Sequence, residues 1–359
     1  MRRRYAMPAT IAYNLGMNQL TLVLPYALPH PELAADLIKA LQAPALAALL
    51  SRTSISTFHE VDYAARVLPH EAWLAQALAL EQEPAFAAHA MRGYGLQPEP
   101  GARYFIVHPV HIQVDRNHVS LGDMRQLALG EADSRALFEA ARPYCEEIGQ
   151  PLYYGDAQTW FMRADGWSDL QAASPDAAAT QDLSTWMPEG EHARALRRLQ
   201  NEIQMLWHEN SVNEARESRG LKAVNSFWLW GASQAAKQQA DGITRLHTAE
   251  APGWLAALAE PALRNGSLHS VLAGKDDALV VHGGLIGPSL AQDWGSWLQE
   301  MQALEQHWFA PLLAALQNGS LGKLRLVMSH RDGWLDCTTS KNAQRKFWRK
   351  HTLNKLKAS

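Results

Sequence analysis

The sequence predicts an α/β protein, a mostly parallel β-sheet flanked by helices. Three observations carry that expectation. Short, almost unbroken apolar runs, Gln19 to Leu24 (QLTLVL), Asp277 to His282 (DALVVH) and Leu324 to His330 (LRLVMSH), read as strands buried on both faces. Between them lie amphipathic stretches with the helical period, 189–207 and 293–316 above all. Apolar residues make up 47% and charged residues 19% of the 359, ample for a large core, and thirteen Trp point to buried aromatic clusters.

The start, Met1-Arg2-Arg3-Arg4, is basic, but Pro8, Asn14 and Asn18 interrupt the stretch behind it. No apolar stretch reaches the length of a membrane span, so a soluble, cytoplasmic protein is expected. Two cysteines, Cys145 and Cys337, without a CxxC pair fit a reducing compartment and no disulfide framework. After the first strand come Pro25-Tyr26, a helical stretch over 33–50 interrupted at Pro44, and the hydroxyls Ser51, Thr53, Ser54, Ser56 and Thr57. That run reads as a solvated turn rather than a nucleophile. Another amphipathic helix spans 68–80, and 81–100, punctuated by Pro84, Gly93, Gly95, Pro98 and Pro100, reads as a long loop.

Tyr104 to Val114 is strand-like and carries His108 and His111, with His118 close behind. Three histidines so close invite a metal reading, but no carboxylate or Cys completes a ligand spacing, and local hydrogen bonding is expected of them. A helix over 134–148 stops at Gly149. LYYG and WFMRADGW come next, with Arg163 and Asp165 placed to pair or to reach a cleft. The expected organisation is a core made of 1–94 and 186–337, an inserted α+β subdomain over 95–185, and a basic tail over 338–359.

The densest chemistry lies in 201–231. A helix ends near Trp207, a polar turn spans His208 to Asn213, a short helical segment is capped by Gly220, and Val224 to Trp230 is a strand buried on both faces. Asn213, Arg216 and Asn225 fall at the element ends. They either tie the turns to nearby backbone, or Arg216 grips a phosphate or carboxylate with its planar fork, supported by Asn213, Asn225 and His208.

The stretch HENSVNEARESRGLKAVNSFWLWG resembles a segment of the archaeal-type cofactor-independent phosphoglycerate mutases, members of the alkaline phosphatase superfamily. It is still more similar to the RpfE-type regulatory proteins, a likeness that extends to YFIVHPVHIQVDRNHV, LYYGDAQTWFMRADGW and SPDAAATQDLSTWMPEG. The resemblance implies an alkaline phosphatase-like sheet. It also implies a metal-binding Asp at the first strand end, a nucleophilic Ser or Thr after the next helix, and Asp/His metal motifs at later strand ends. This sequence has Pro25-Tyr26 at the first position. His282 precedes Gly283-Gly284 at the second, a glycine run expected to be a plain turn rather than a phosphate cradle, and His330, Asp332 and Asp336 stand at altered spacing at the third.

The expectation is therefore a catalytically degenerate phosphoglycerate mutase-like protein, without cofactor, in a regulatory or anionic-ligand-sensing role toward a phosphorylated small molecule. One alternative is a divergent metal-dependent phosphohydrolase or mutase holding Mn or Zn on His282, His330 and Asp332. Another is a nucleic-acid or partner-binding module acting through the tail. The formal net charge is −3, yet 338–359 carries seven Lys and Arg with no acid, interrupted by Phe347 and Trp348.

Overall fold

The computed structural model describes residues 17–61, 66–80, 85–115, 118–179, 181–235, 245–274 and 276–357, so the basic start and most of the 232–242 loop lie outside the described residues. The described strands are β1 (Met17–Leu24), β2 (Ile55–Glu60), β3 (Arg103–Val110), β4 (Ile112–Asp115), β5 (His118–Leu121), β6 (Leu152–Tyr154), β7 (Trp160–Arg163), β8 (Ser226–Gln234), β9 (Arg245–Ala249), β10 (Ala278–His282), β11 (Leu321–Ser329) and β12 (Gly333–Ser340). The main sheet has the order β2-β12-β11-β1-β10-β9. β9, β10, β1 and β11 run parallel, and β12 and β2 close one side antiparallel. This is the mixed α/β architecture with a mostly parallel central sheet that the sequence predicts. β1 lies between two parallel partners and is almost wholly buried, hence its apolar run. Of the hydroxyl-bearing residues, Ser51 ends the helix Pro44–Ser51, Thr53 and Ser54 lie between, and Ser56 and Thr57 belong to the edge strand β2, where polar side chains are expected.

A second, antiparallel sheet has the order β6-β7-β3-β8, and β4 pairs with β5 as a hairpin. The aromatic strand β8, expected with the core, pairs with β3 instead. Its residues alternate: Phe227 and Leu229 join a small core with Phe105, Val107 and the apolar stripe of the helix Ala193–His208, while Trp228 and Trp230 face the main core. Both faces of β8 are therefore covered, one by helices and one by the large sheet's layer. The stripe itself is Ala193, Leu196, Leu199, Ile203 and Trp207, buried as its spacing requires. Pro188 lies ahead of this helix.

Candidate functional site

Parallel strands deliver their carboxyl ends to one edge, where ligands of open α/β sheets bind. The ends of β9 and β10 open there into a cleft of about 650 Å³ whose lining includes Glu250, His269, His282, Glu300 and His307. Glu250 directly follows β9 and holds φ at 50°, a left-handed backbone that a non-glycine residue keeps only where its surroundings impose it. His282 ends β10 and is 3% exposed. Its Nδ1 accepts the Gly284 N–H at 3.3 Å, and its Nε2 stands 3.8 Å from Glu250 Oε1, beyond hydrogen-bond reach. Glu300 enters from the helix Trp294–Leu304, and one ligand atom from each of Glu250, His282 and Glu300 lies within 4.8 Å of the others.

Burial pushes the His282 imidazole down to about 4, so it is neutral at pH 7. Burial and then the neighbouring Glu250 raise the Glu300 carboxyl, which His307 partly offsets. A neutral imidazole beside two crowded carboxylates is a donor set suited to a divalent cation such as Zn or Mn. Binding through Nε2 puts the imidazole proton on Nδ1 and gives up the long bond from Gly284. The glycine pair also finds its reason here. A Cβ on Gly284 would stand 2.4 Å from Glu300 Oε1 and 2.7 Å from Glu250 Oε2, and one on Gly283 would stand 2.6 Å from the Glu250 carbonyl oxygen. Gly284 makes room for the two carboxylates and Gly283 for the Glu250 backbone.

The ends of β1 and β11 are closed. Tyr26, just past β1, is 7% exposed with φ at 59°. Its N–H donates to Ser329 Oγ at 3.3 Å, its carbonyl accepts from Trp297 Nε1 at 2.9 Å, and its hydroxyl is buried without a partner. His70 packs edge-on against the Tyr26 ring, and its Nδ1 lies 3.3 Å from Ser329 Oγ. Burial sends His70 down to about 4 and raises its neighbour Glu71 to about 8. Asp176, on the segment before the helix Ala193–His208, lies near enough to Tyr26, His70 and Glu71 to act on all three electrostatically. Burial works against ionisation of Asp176, but the Arg125 guanidinium, which donates to its two oxygens at 2.9 and 2.7 Å, holds the carboxyl below the usual range. Arg331, two residues beyond β11, crosses to the carbonyl of Ala177.

The residues expected to hold metal are not brought together as a set. β1 lies between β10 and β11, so His282 is two strands away from His330. His330 Nδ1 accepts the Asp332 N–H at 2.9 Å, leaving Nε2 buried without a partner, and the Asp332 carboxylate stays 3.9 Å from the ring. Asp336 pairs with Arg325 on the neighbouring strand, with contacts of 3.0 and 3.1 Å to Nε. His108 and His111 meet the carbonyls of Gln158 and Ala223 at 2.6 and 2.8 Å, the local bonding expected of them, while the His118 side chain lies outside the described residues. Arg163 pairs with both Asp165 and Glu99.

Asn213, Asn225 and His208 do share a pocket of about 410 Å³, together with His111, Glu209 and Glu217. Arg216 is not part of its lining. The Arg216 guanidinium is 0% exposed: Nε donates to the Lys222 carbonyl at 3.0 Å, an Nη donates to the Leu127 carbonyl, and Asp133 stands 3.5 Å away. Asn213 donates to the carbonyls of Trp207 and Val224 at 2.8 Å each and accepts the Val224 N–H at 2.9 Å. Asn225 exchanges bonds of 2.7 and 2.8 Å with the backbone of Ile112. The anion-gripping role expected of Arg216 thus meets a side chain already engaged inside the fold.

Glu250 and Glu300 escape a reading of the sequence alone. Glu250 carries one usable signal, an acid immediately after a buried strand; Glu300 sits on an ordinary helical face and carries none.

In architecture the chain is similar to the PH0037 protein from Pyrococcus horikoshii, with a TM-score of 0.56 and 10% identity over 95% of this chain and 92% of that one. It is also similar to the cofactor-independent phosphoglycerate mutase from Thermoplasma acidophilum DSM 1728, with a TM-score of 0.48 and 11% identity over 96% and 95% of the two chains. No family model and no curated protein sequence matches the chain. At 10% identity, the likeness to the PH0037 protein is one of fold.

Proposed function

We propose that this chain is a phosphoglycerate mutase-like protein that binds rather than turns over its ligand and serves a regulatory, ligand-sensing role in the cytoplasm, as the RpfE-type resemblance suggests. One observation carries the reading. Where the resemblance implies a metal-binding Asp at the end of the first strand, this chain has the buried Tyr26, with the Arg125–Asp176 pair close enough to act on it electrostatically, in place of a ligand for a two-metal centre. The ligand would enter through the cleft at β9 and β10, which is open but lined by Glu250 and Glu300 rather than by arginine or lysine.

A second reading, a divergent metal-dependent phosphohydrolase or mutase, is favoured by the Glu250–His282–Glu300 cluster. These three residues would hold one cation, which supplies Lewis acidity to whatever binds beside it.

Metal content by mass spectrometry after equilibration with Mn²⁺ and Zn²⁺ and desalting, followed by phosphoester-hydrolysis and mutase assays of the loaded protein, tests the choice. Absence of turnover with or without bound metal is the expected result. Turnover that disappears in His282→Ala would overturn the binding reading in favour of the enzyme.

A further inference from the structure

The segment after β12 is basic in sequence, and the structure shows how it is held. Its first turn, the helix Lys341–Gln344, is anchored by Arg52, which donates to the Gln344 carbonyl at 3.0 Å. Beyond the turn it returns to the body. The Thr352 N–H donates to Ser51 Oγ at 2.9 Å, Lys355 Nζ donates to Thr53 Oγ1 at 2.7 Å, and Leu356 is fully buried in the main core. Residues 345–351 are thereby fixed at both ends.

At the middle of this fixed loop Phe347 and Trp348 are 81% and 67% exposed. They contact each other edge to face, with ring centroids 5.3 Å apart at 82°. Arg345-Lys346 precede them and Arg349-Lys350 follow. Among the described residues, none of Lys341, Arg345, Lys346, Arg349, Lys350, Lys355 and Lys357 forms an ion pair with a carboxylate. The body is thus acidic overall while this face carries unneutralised positive charge around an apolar tip.

We infer that the 345–350 loop is a peripheral docking site for an anionic lipid bilayer. Phe347 and Trp348 enter the headgroup–acyl boundary, and the flanking cations meet lipid phosphates and carboxylates. Two features favour a bilayer over a nucleic-acid strand. The perpendicular rings make one compact wedge, whereas successive bases stack on separate open ring faces. A pair of cations stands on each side of the wedge in the chain: Lys346 and Arg349 donate to the Thr53 and Ser51 carbonyls at 3.4 and 3.3 Å, and the exposed Arg345 and Lys350 are left to meet lipid on both flanks. Binding of this kind lies on a membrane and needs no spanning segment, consistent with the described residues holding no helix long and apolar enough to cross one.

Cosedimentation of the full chain with phosphatidylcholine vesicles containing about 30% phosphatidylserine, at roughly 0.1 and 0.5 M NaCl, tests the inference. Expected are binding at low salt, at least about tenfold weaker binding at high salt, and little binding to pure phosphatidylcholine. The exposed Phe347→Ala/Trp348→Ala double variant should keep the parent melting temperature and lose about tenfold or more in vesicle affinity. Equal vesicle binding by the double variant, or no vesicle binding at all, overturns the proposal. So does binding confined to a single-stranded oligonucleotide run in parallel.

Discussion

At the scale of single residues, the two most informative groups at the sheet edge are buried and neutral at pH 7. Glu71 and His70 adjoin in sequence and pull the pH dependence of stability in opposite directions. The folded His70 pKa of about 4 lies below its usual value, so its burial weakens the fold as pH falls from about 6.5 toward 4. The folded Glu71 pKa of about 8 lies above its usual value, so the folded state binds more protons between about 4.5 and 8, and stability falls as pH rises through that window. The two effects oppose one another up to about pH 6.5, and only the Glu71 effect remains above it. Chemical denaturation should show stability declining by roughly 2 kcal/mol between about pH 6.5 and 8.5, and Glu71→Gln should flatten that decline. In the cleft, Glu300→Gln removes a proposed cation ligand and should weaken Zn²⁺ or Mn²⁺ binding about tenfold or more by titration calorimetry. An unchanged affinity would remove Glu300 from the ligand set.

At the scale of elements, the polar stretch after the helix Ala193–His208 works as a clasp. Asn213 ties the last turn of that helix to Val224, two residues before β8, Asn225 ties the other side of the same junction to β4, and Arg216 bonds the loop at Lys222 and the chain at Leu127. Asn213→Ala removes the side-chain partner of both the Val224 carbonyl and the Val224 amide, and is expected to lower stability by ~2–4 kcal/mol in urea titrations. Arg216→Lys should fail to restore what Arg216→Ala loses, because one ammonium cannot serve two carbonyls on different segments at once. Burial already holds the Arg216 pKa below the usual arginine range, while Asp133 keeps it from falling further. A ligand-binding arginine would leave stability near the parent's when removed, so these variants separate a clasp from a gripping residue.

At the scale of the whole molecule, the small sheet is a second layer whose Tyr104, Ile106, Trp228 and Trp230 join the main core. Unfolding followed by tryptophan fluorescence and by far-ultraviolet circular dichroism should therefore give one coincident transition. Two separated transitions would mean that the layers are independent. The sequence by itself determined the α/β class, the buried strands β1, β10 and β11, and a helix over 189–207 that forms over Ala193–His208, because apolar period and run length are local properties of the chain. Only the tertiary structure decided which sheet takes β8, since an apolar strand buried on both faces fits either sheet until its partner is known. It likewise decided that Arg216 faces inward, that β1 parts His282 from His330, and that Glu250 and Glu300 meet His282 across a cleft. Those outcomes depend on strand order and on contacts between residues far apart in the chain, and no local pattern encodes such contacts.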